Sequence, residues 1–184
     1  ERGLRRGPGR SEGVVDEPRE AGRVGRRMIK RIIGAERRGE RAQSGEPEWL
    51  SLEQVAEVEI SSEDPWHPIE QAVVAGGKGW VAGGPGEQRV RLLFPQPREV
   101  KRVRVVVEEH ERARTQEFVL RARTPGGLER EIARQQFTFS PGGATREQED
   151  YRVDLPSVAA IELSIVPDIS GGNVRATLRE LRVG

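Results

Sequence analysis

The sequence predicts an all-β protein: a two-sheet jelly-roll sandwich of about eight antiparallel strands, preceded by a disordered basic N-terminal extension. Three observations predict it. From Trp49 onward apolar residues recur with period two, the spacing of strands that bury one face and solvate the other. Clusters of Gly, Pro, Asn and Ser punctuate these runs at hairpin-like intervals. No segment sustains the period of a long helix.

Residues 1–27 are mainly Arg, Gly, Pro and Glu, too poor in apolar side chains to offset the entropy of ordering, and are expected to be disordered. Met28 is the only methionine. The expectation is that it is the natural start and that residues 1–27 lie upstream of the native chain. Residues 28–48 form a short amphipathic linker, with Ile29, Ile32 and Ile33 on one face of a charged stretch. That face is too narrow for an interfacial membrane anchor. No apolar run approaches the ~18 residues needed to span a bilayer, and none follows the basic start as a secretion signal requires. With no cysteine in the chain, a cytoplasmic location is expected.

Residues 49–184 carry the domain. Val55–Ile60 alternates apolar and acidic residues. Gln88–Phe94 sets Val90, Leu92 and Phe94 against Arg89 and Arg91, and Val100–Glu108 sets Val103, Val105 and Val107 against Arg102 and Arg104. Gln116–Arg123 opposes Phe118, Leu120 and Ala122 to Glu117, Arg121 and Arg123. Glu129–Phe139, Glu149–Leu155, Val158–Val166 and Arg175–Val183 complete the eight expected strands. Turns are expected at Phe94–Pro97, Thr124–Gly127, Ser140–Gly143 and Ser170–Asn173. Trp80, between glycines just before a strand, is expected in the core.

Charge is unevenly spread. The chain carries net +1, but residues 1–48 hold 13 Lys and Arg against 9 Asp and Glu, while residues 49–184 hold 18 against 21. The domain is therefore mildly acidic, at −3. That disfavours nucleic acid as a partner, because duplex affinity comes largely from neutralising phosphates.

Catalytic chemistry finds little support. His67 and His110 are the only histidines, no Ser is framed as Gly-x-Ser-x-Gly, and no paired His motif for zinc is present. Ser61, Ser62 and Asp64 lie near His67, but loop serines more commonly satisfy turn backbone groups. The glycine-rich Ala75–Gly86 stretch lacks the Lys-Ser/Thr of a phosphate loop and reads as tight turns leading into the strand at Gln88. No enzyme, cofactor or metal is expected.

Binding chemistry is better represented. Asp64-Pro65-Trp66-His67-Pro68 presents an aromatic face and an imidazole on a restricted loop, suited to stacking on a sugar ring. Arg112 and Arg114, in the charged tip Glu108–Thr115, offer planar hydrogen-bonding forks. Asp168 and Asn173 lie in a third polar loop, Pro167–Asn173. The six candidate ligand contacts are thus Trp66, His67, Arg112, Arg114, Asp168 and Asn173.

A Trp ahead of the Gln88-Arg-Val-Arg-Leu-Leu-Phe94 strand, the Pro97-Arg-Glu-Val100-Lys-Arg-Val103 strand, and the closing Ala176-Thr-Leu-Arg-Glu-Leu-Arg-Val-Gly184 together resemble the galactose-binding-like (discoidin-type) jelly roll over roughly residues 50–184. Within that superfamily, Ser61-Ser-Glu-Asp-Pro-Trp-His67, Glu70, Trp80-Val-Ala82 and Gly86-Glu87 resemble the N-terminal domain of the eukaryotic single-strand-break repair scaffold. The first resemblance implies a non-catalytic carbohydrate-binding module using loops at one end of the sandwich. The second implies a module that binds nicked DNA and a repair polymerase. Carbohydrate-binding members often hold a calcium with an Asp-Gly loop ahead of the core Trp and a Glu of the last strand. Glu180 matches that Glu, but Ala75-Gly76-Gly77 lacks the Asp. The expected function is carbohydrate binding. The alternative is a protein-interaction or strand-break-binding module whose outward Arg89, Arg91, Arg102 and Arg104 meet the partner.

Overall fold

A computed structural model describes residues 48–184. The expectations for residues 1–27, and for the linker up to residue 47, lie outside the described residues. In chain order the elements are α1 (Leu52–Val55), β1 (Glu57–Ile60), α2 (Glu70–Val73), β2 (Trp80–Pro85), β3 (Gln88–Glu108), β4 (Arg114–Arg123), β5 (Glu129–Phe139), β6 (Arg146–Val166), β7 (Arg175–Leu178) and β8 (Glu180–Val183). Every strand pairing is antiparallel.

The molecule is built on the ladder between β3 and β6, which runs from Gln88↔Ile165 to Glu108↔Arg146. Its two halves have different neighbours. Residues 90–93 of β3 pair with β1, and the facing half of β6 pairs with β4, which in turn carries β5. Residues 103–106 of β3 pair with β8 instead. The register slips between Leu93 and Arg102, where Pro95, Pro97 and Pro156 sit. Proline has no N–H to give a ladder and is tolerated where one is interrupted. The slip also changes parity: Val90, Leu92 and Phe94 are buried before it and Val103, Val105 and Val107 after it. The extra residue of a bulge lets one strand keep its apolar side inward across the bend. A separate two-stranded sheet, β2 with β7, completes the sandwich.

Among the described residues the expected number of strands is present, but the partition differs in three ways. The runs 88–94 and 100–108 are one strand, as are 149–155 and 158–166, because the prolines interrupt the alternation without ending the pairing. The expected strand 175–183 is two, since the chain changes partner from β2 to β3 at Arg179. Trp80–Pro85, expected as turns, is a strand. The glycine just before it serves close approach: Gly79 adopts a positive φ of 93°, and a Cβ there would stand 2.9 Å from the Leu178 carbonyl oxygen.

Trp80 is buried among Leu92, Phe118, Leu163, Leu178 and other members of one apolar cluster. Its indole N–H donates to the Ser62 carbonyl at 3.2 Å, the hydrogen bond a buried tryptophan needs. Glu147, opposite Val107 on β6, is only 3% exposed, and neither carboxylate oxygen has a hydrogen-bond partner. Burial, reinforced by the Glu149 charge, pushes its pKa up to about 7.

Candidate functional site

Three loops and the β2–β7 ribbon enclose an open cleft of about 490 Å³. Its lining comes from His67, from Lys78–Val81, from the segment 108–112 that follows β3, and from residues 173–179 in and around β7.

The first loop, residues 61–69, is pinned at several points. Ser61 extends the β1–β3 ladder: its hydroxyl accepts from the Arg89 N–H at 2.7 Å, and its own N–H donates to the Arg89 carbonyl at 3.0 Å. The Ser62 hydroxyl donates to Gln88 Oε1 at 2.7 Å and accepts from the Gly83 N–H at 3.1 Å. Both serines therefore serve backbone and neighbour groups, as their loop setting suggested. Asp64 organises the tip. Its Oδ1 accepts from the Trp66 N–H at 2.9 Å and faces His67 Nδ1 at 3.3 Å, while Oδ2 accepts from Arg175 at 2.8 Å. The Arg175 guanidinium, aided by the Trp66 N–H, holds the Asp64 carboxyl at a pKa of about 2. The Asp64 N–H also donates to the Val81 carbonyl at 2.8 Å, and the His67 carbonyl accepts from the Val81 N–H at 3.2 Å. The outcome is a turn tied at several points, with His67 on the cleft lining and Trp66 87% exposed.

The second loop is organised from beneath by Arg114. Its side chain is fully buried, and its donors go to Glu109 Oε2 at 2.9 Å, Gln116 Oε1 at 3.0 Å, Thr177 Oγ1 at 3.2 Å and the Pro167 carbonyl. Glu109 relays this order upward, its Oε1 accepting from the N–H groups of Glu111 and Arg112 at 2.9 and 3.2 Å. Burial alone would raise the Glu109 pKa, but these N–H donors and the Arg114 guanidinium together hold it below the ordinary value. The Arg112 side chain ties the second loop to the third, donating to the Asn173 carbonyl at 3.3 Å.

The third loop is shaped by Asp168, whose Oδ1 accepts from both the N–H and the hydroxyl of Ser170, at 3.0 and 2.7 Å. Those hydrogen bonds keep its carboxyl below the ordinary range. Gly171 and Gly172, at φ of 81° and 123°, turn the chain back toward Asn173.

Of the six residues singled out in the sequence, His67, Arg112 and Asn173 meet in the cleft. Trp66 is not on the lining; it precedes His67 on the same turn and is exposed. Arg114 lies under the floor with its donors engaged, and the Asp168 carboxylate is occupied within its own loop. Sequence reading did not single out Lys78, His110, Arg175 and Arg179, which also line the cleft. His110 sits in the charged tip that carries Arg112, so the signal for it was present. Lys78, Arg175 and Arg179 become neighbours only through the β2–β7 pairing.

The outward arginines of β3 are largely matched. Arg91 bonds to Glu162 at 2.7 Å and to Glu59 at 2.9 Å, and Arg89 faces Glu162 at 3.4 Å. Arg104 bonds to Asp150 at 2.7 Å, and the Arg102 guanidinium stacks 3.6 Å from the centre of the Trp49 ring. Among the described residues no three His, Asp or Glu gather in a metal-holding group, and the Gly77 carbonyl accepts a hydrogen bond from the Arg179 guanidinium. Among the described residues, too, no helix is long and apolar enough to cross a membrane.

No protein-family model matches the chain, and no curated protein matches its sequence. Solved structures do match in fold. A family 32 carbohydrate-binding module from Clostridium perfringens NanJ, in complex with galactose, is similar at 14% identity and a TM-score of 0.53, covering 73% of this chain and 96% of that one. CpGH89CBM32-5 from the same organism, in complex with GalNAc-β-1,3-galactose, is similar at 14% identity and a TM-score of 0.54, covering 74% and 99%. The family 32 module of AlyQ, in complex with 4,5-unsaturated mannuronic acid, is similar at 18% identity and a TM-score of 0.51, covering 71% and 95%. The fold is the β-sandwich of these modules.

Proposed function

We propose that this protein is a non-catalytic carbohydrate-binding module that holds its ligand in the cleft beside Trp66. The observation that carries the reading is the convergence of His67, Arg112 and Asn173 on the lining of one open cleft, with the exposed Trp66 preceding His67 on the same turn. A sugar needs this combination: planar or directional donors for its hydroxyls and a flat apolar face for its C–H surface. His67 and Arg112 supply the hydroxyl contacts, Asn173 an amide that both donates and accepts, and Trp66 the stacking face. The solved modules of the same fold that bind galactose and related sugars support the reading.

The role of the other two candidates follows from their surroundings. Arg114 and Asp168 act on the ligand indirectly, by holding the loops that carry Arg112 and Asn173. A partner surface built from the outward arginines gains no support, because Arg89, Arg91 and Arg104 already face carboxylates.

A glycan array probed with the full chain, followed by calorimetry on the strongest binder, tests the proposal. His67→Ala and Arg112→Ala are expected to weaken binding about tenfold or more, a loss of one or two hydrogen bonds in each case. A folded protein that binds no glycan overturns it.

A further inference from the structure

The charges around the cleft do not cancel. Arg175 is bonded to Asp64 at 2.8 Å and Arg179 faces Glu108 at 3.4 Å, while Arg114 beneath the floor is matched by Glu109. Lys78 and Arg112 differ. Both are exposed on the lining, and neither has a carboxylate partner among the described residues. The Arg112 side chain makes one hydrogen bond, to the Asn173 carbonyl, which leaves most of its fork open. Among the described residues Glu111 is the lining carboxylate without a cation, so two uncompensated positive groups stand against one negative there.

We infer that the cleft selects an acidic sugar, whose carboxylate is received by the Lys78 ammonium and the Arg112 guanidinium. The inference rests on the carbohydrate reading above and sharpens it. A guanidinium and a carboxylate share a planar two-bond geometry, and charge-assisted hydrogen bonds of this kind are roughly twice as strong as neutral ones. Arg112 is already ordered for the task, because its N–H is tied to Glu109 and its side chain to Asn173. Pre-ordering of this sort lowers the entropic cost of binding. A neutral sugar in the same place would displace water from both cations without offering a counter-charge.

An array carrying uronate-terminated, sialate-terminated and neutral glycans, probed with the full chain, makes the first test and separates the two sources of a sugar carboxylate. Calorimetry then compares the best acidic binder with its carboxyl methyl ester, at low and at raised salt. The expected result is that acidic glycans head the ranking and that esterification weakens binding about tenfold or more. Raised salt weakens binding of the acid and leaves the ester nearly unaffected. In Lys78→Met the ratio of acid to ester affinity is expected to fall toward unity, whatever the absolute affinities become. An ester that binds as tightly as the acid, or neutral glycans at the head of the ranking, overturns the inference while the carbohydrate reading stands. A folded chain that binds no glycan overturns both. The comparison of acid with ester uses the unaltered protein, so it decides the matter even if Lys78→Met does not fold.

Discussion

Trp66 and Glu147 are opposite departures from the rule that apolar side chains lie inside and charged ones outside. Trp66 is a large apolar side chain at 87% exposure, held there by a turn whose hydrogen bonds use its backbone N–H and not its indole. Removing it costs the fold little and the ligand a stacking face. Trp66→Ala is expected to change stability by less than about 0.5 kcal/mol in urea titration. In calorimetry with the bound glycan it is expected to weaken affinity about five- to tenfold. Glu147 is the reverse case, a carboxyl in the core with no partner. Its folded-state pKa of about 7 lies above its ordinary value of 4.5, so the folded protein holds this proton more tightly than the unfolded chain does. The stability it contributes is fully present below about pH 4.5 and is lost as the pH rises through about 7. Urea unfolding from pH 5 to pH 8 is expected to show the native protein losing about 2–3 kcal/mol relative to Glu147→Gln, whose curve lacks this slope. Trp80 was legible in the sequence because glycines flank it ahead of a strand. Glu147 was not, because a Glu on an alternating strand reads as solvated unless the opposing layer is known.

Elements become legible where their residues alternate and obscure where they do not. The runs around Val90, Val105 and Leu120 declare themselves through period two, and all three residues are buried. β2 hides because Gly83, Gly84 and Pro85 carry no alternating side chains, although Trp80 and Ala82 are buried with the expected period. The join of 88–94 to 100–108 hides for a different reason: prolines mark a bend as readily as an end. Loops are harder still. The Trp66–His67 turn announces itself by composition, but the cleft wall opposite depends on Arg114, whose sequence setting resembles that of the exposed Arg112. A buried arginine that joins the 109–113 loop, the 167–174 loop and β7 leaves no trace in spacing. Its importance can be measured. Arg114→Met leaves the Glu109 carboxylate buried without its cation and the Pro167 carbonyl without its donor, and is expected to cost about 3–5 kcal/mol. Hydrogen exchange on that variant is expected to show faster exchange at Glu111 and Arg112, whose N–H groups rely on Glu109. Unchanged exchange there would show that the loop is ordered independently of Arg114.

At the scale of the molecule, the β3–β6 ladder sets how the sandwich assembles. Its pairings are non-local: Val107↔Glu147 closes the shorter loop and Val90↔Leu163 the longer, with the β4–β5 hairpin contained in both. A doubling of loop length costs only about 0.6 kcal/mol in closure entropy. The β4–β5 hairpin, joined by the short turn at Thr124–Leu128, has already drawn much of the intervening chain together. The end of the ladder at Val107 therefore has the smaller remaining gap to close, and the end at Val90 zips afterwards, together with β1. Folding dominated by such distant contacts is expected to take milliseconds to seconds. Val107→Ala and Val90→Ala each empty part of a fully buried site and are each expected to destabilise by about 2 kcal/mol. Their kinetics are expected to differ. Stopped-flow chevrons should show Val107→Ala mainly slowing folding and Val90→Ala mainly speeding unfolding. The reverse pattern would place the nucleus at the β1 side of the sandwich. The same order has a consequence for the cleft. Glu108, Thr177 and Arg179 belong to the β3 end nearest Val107 and to the strands beside it, so the floor forms early. The Trp66–His67 turn, tied to β2 and to Arg89, is completed only when the far end has closed.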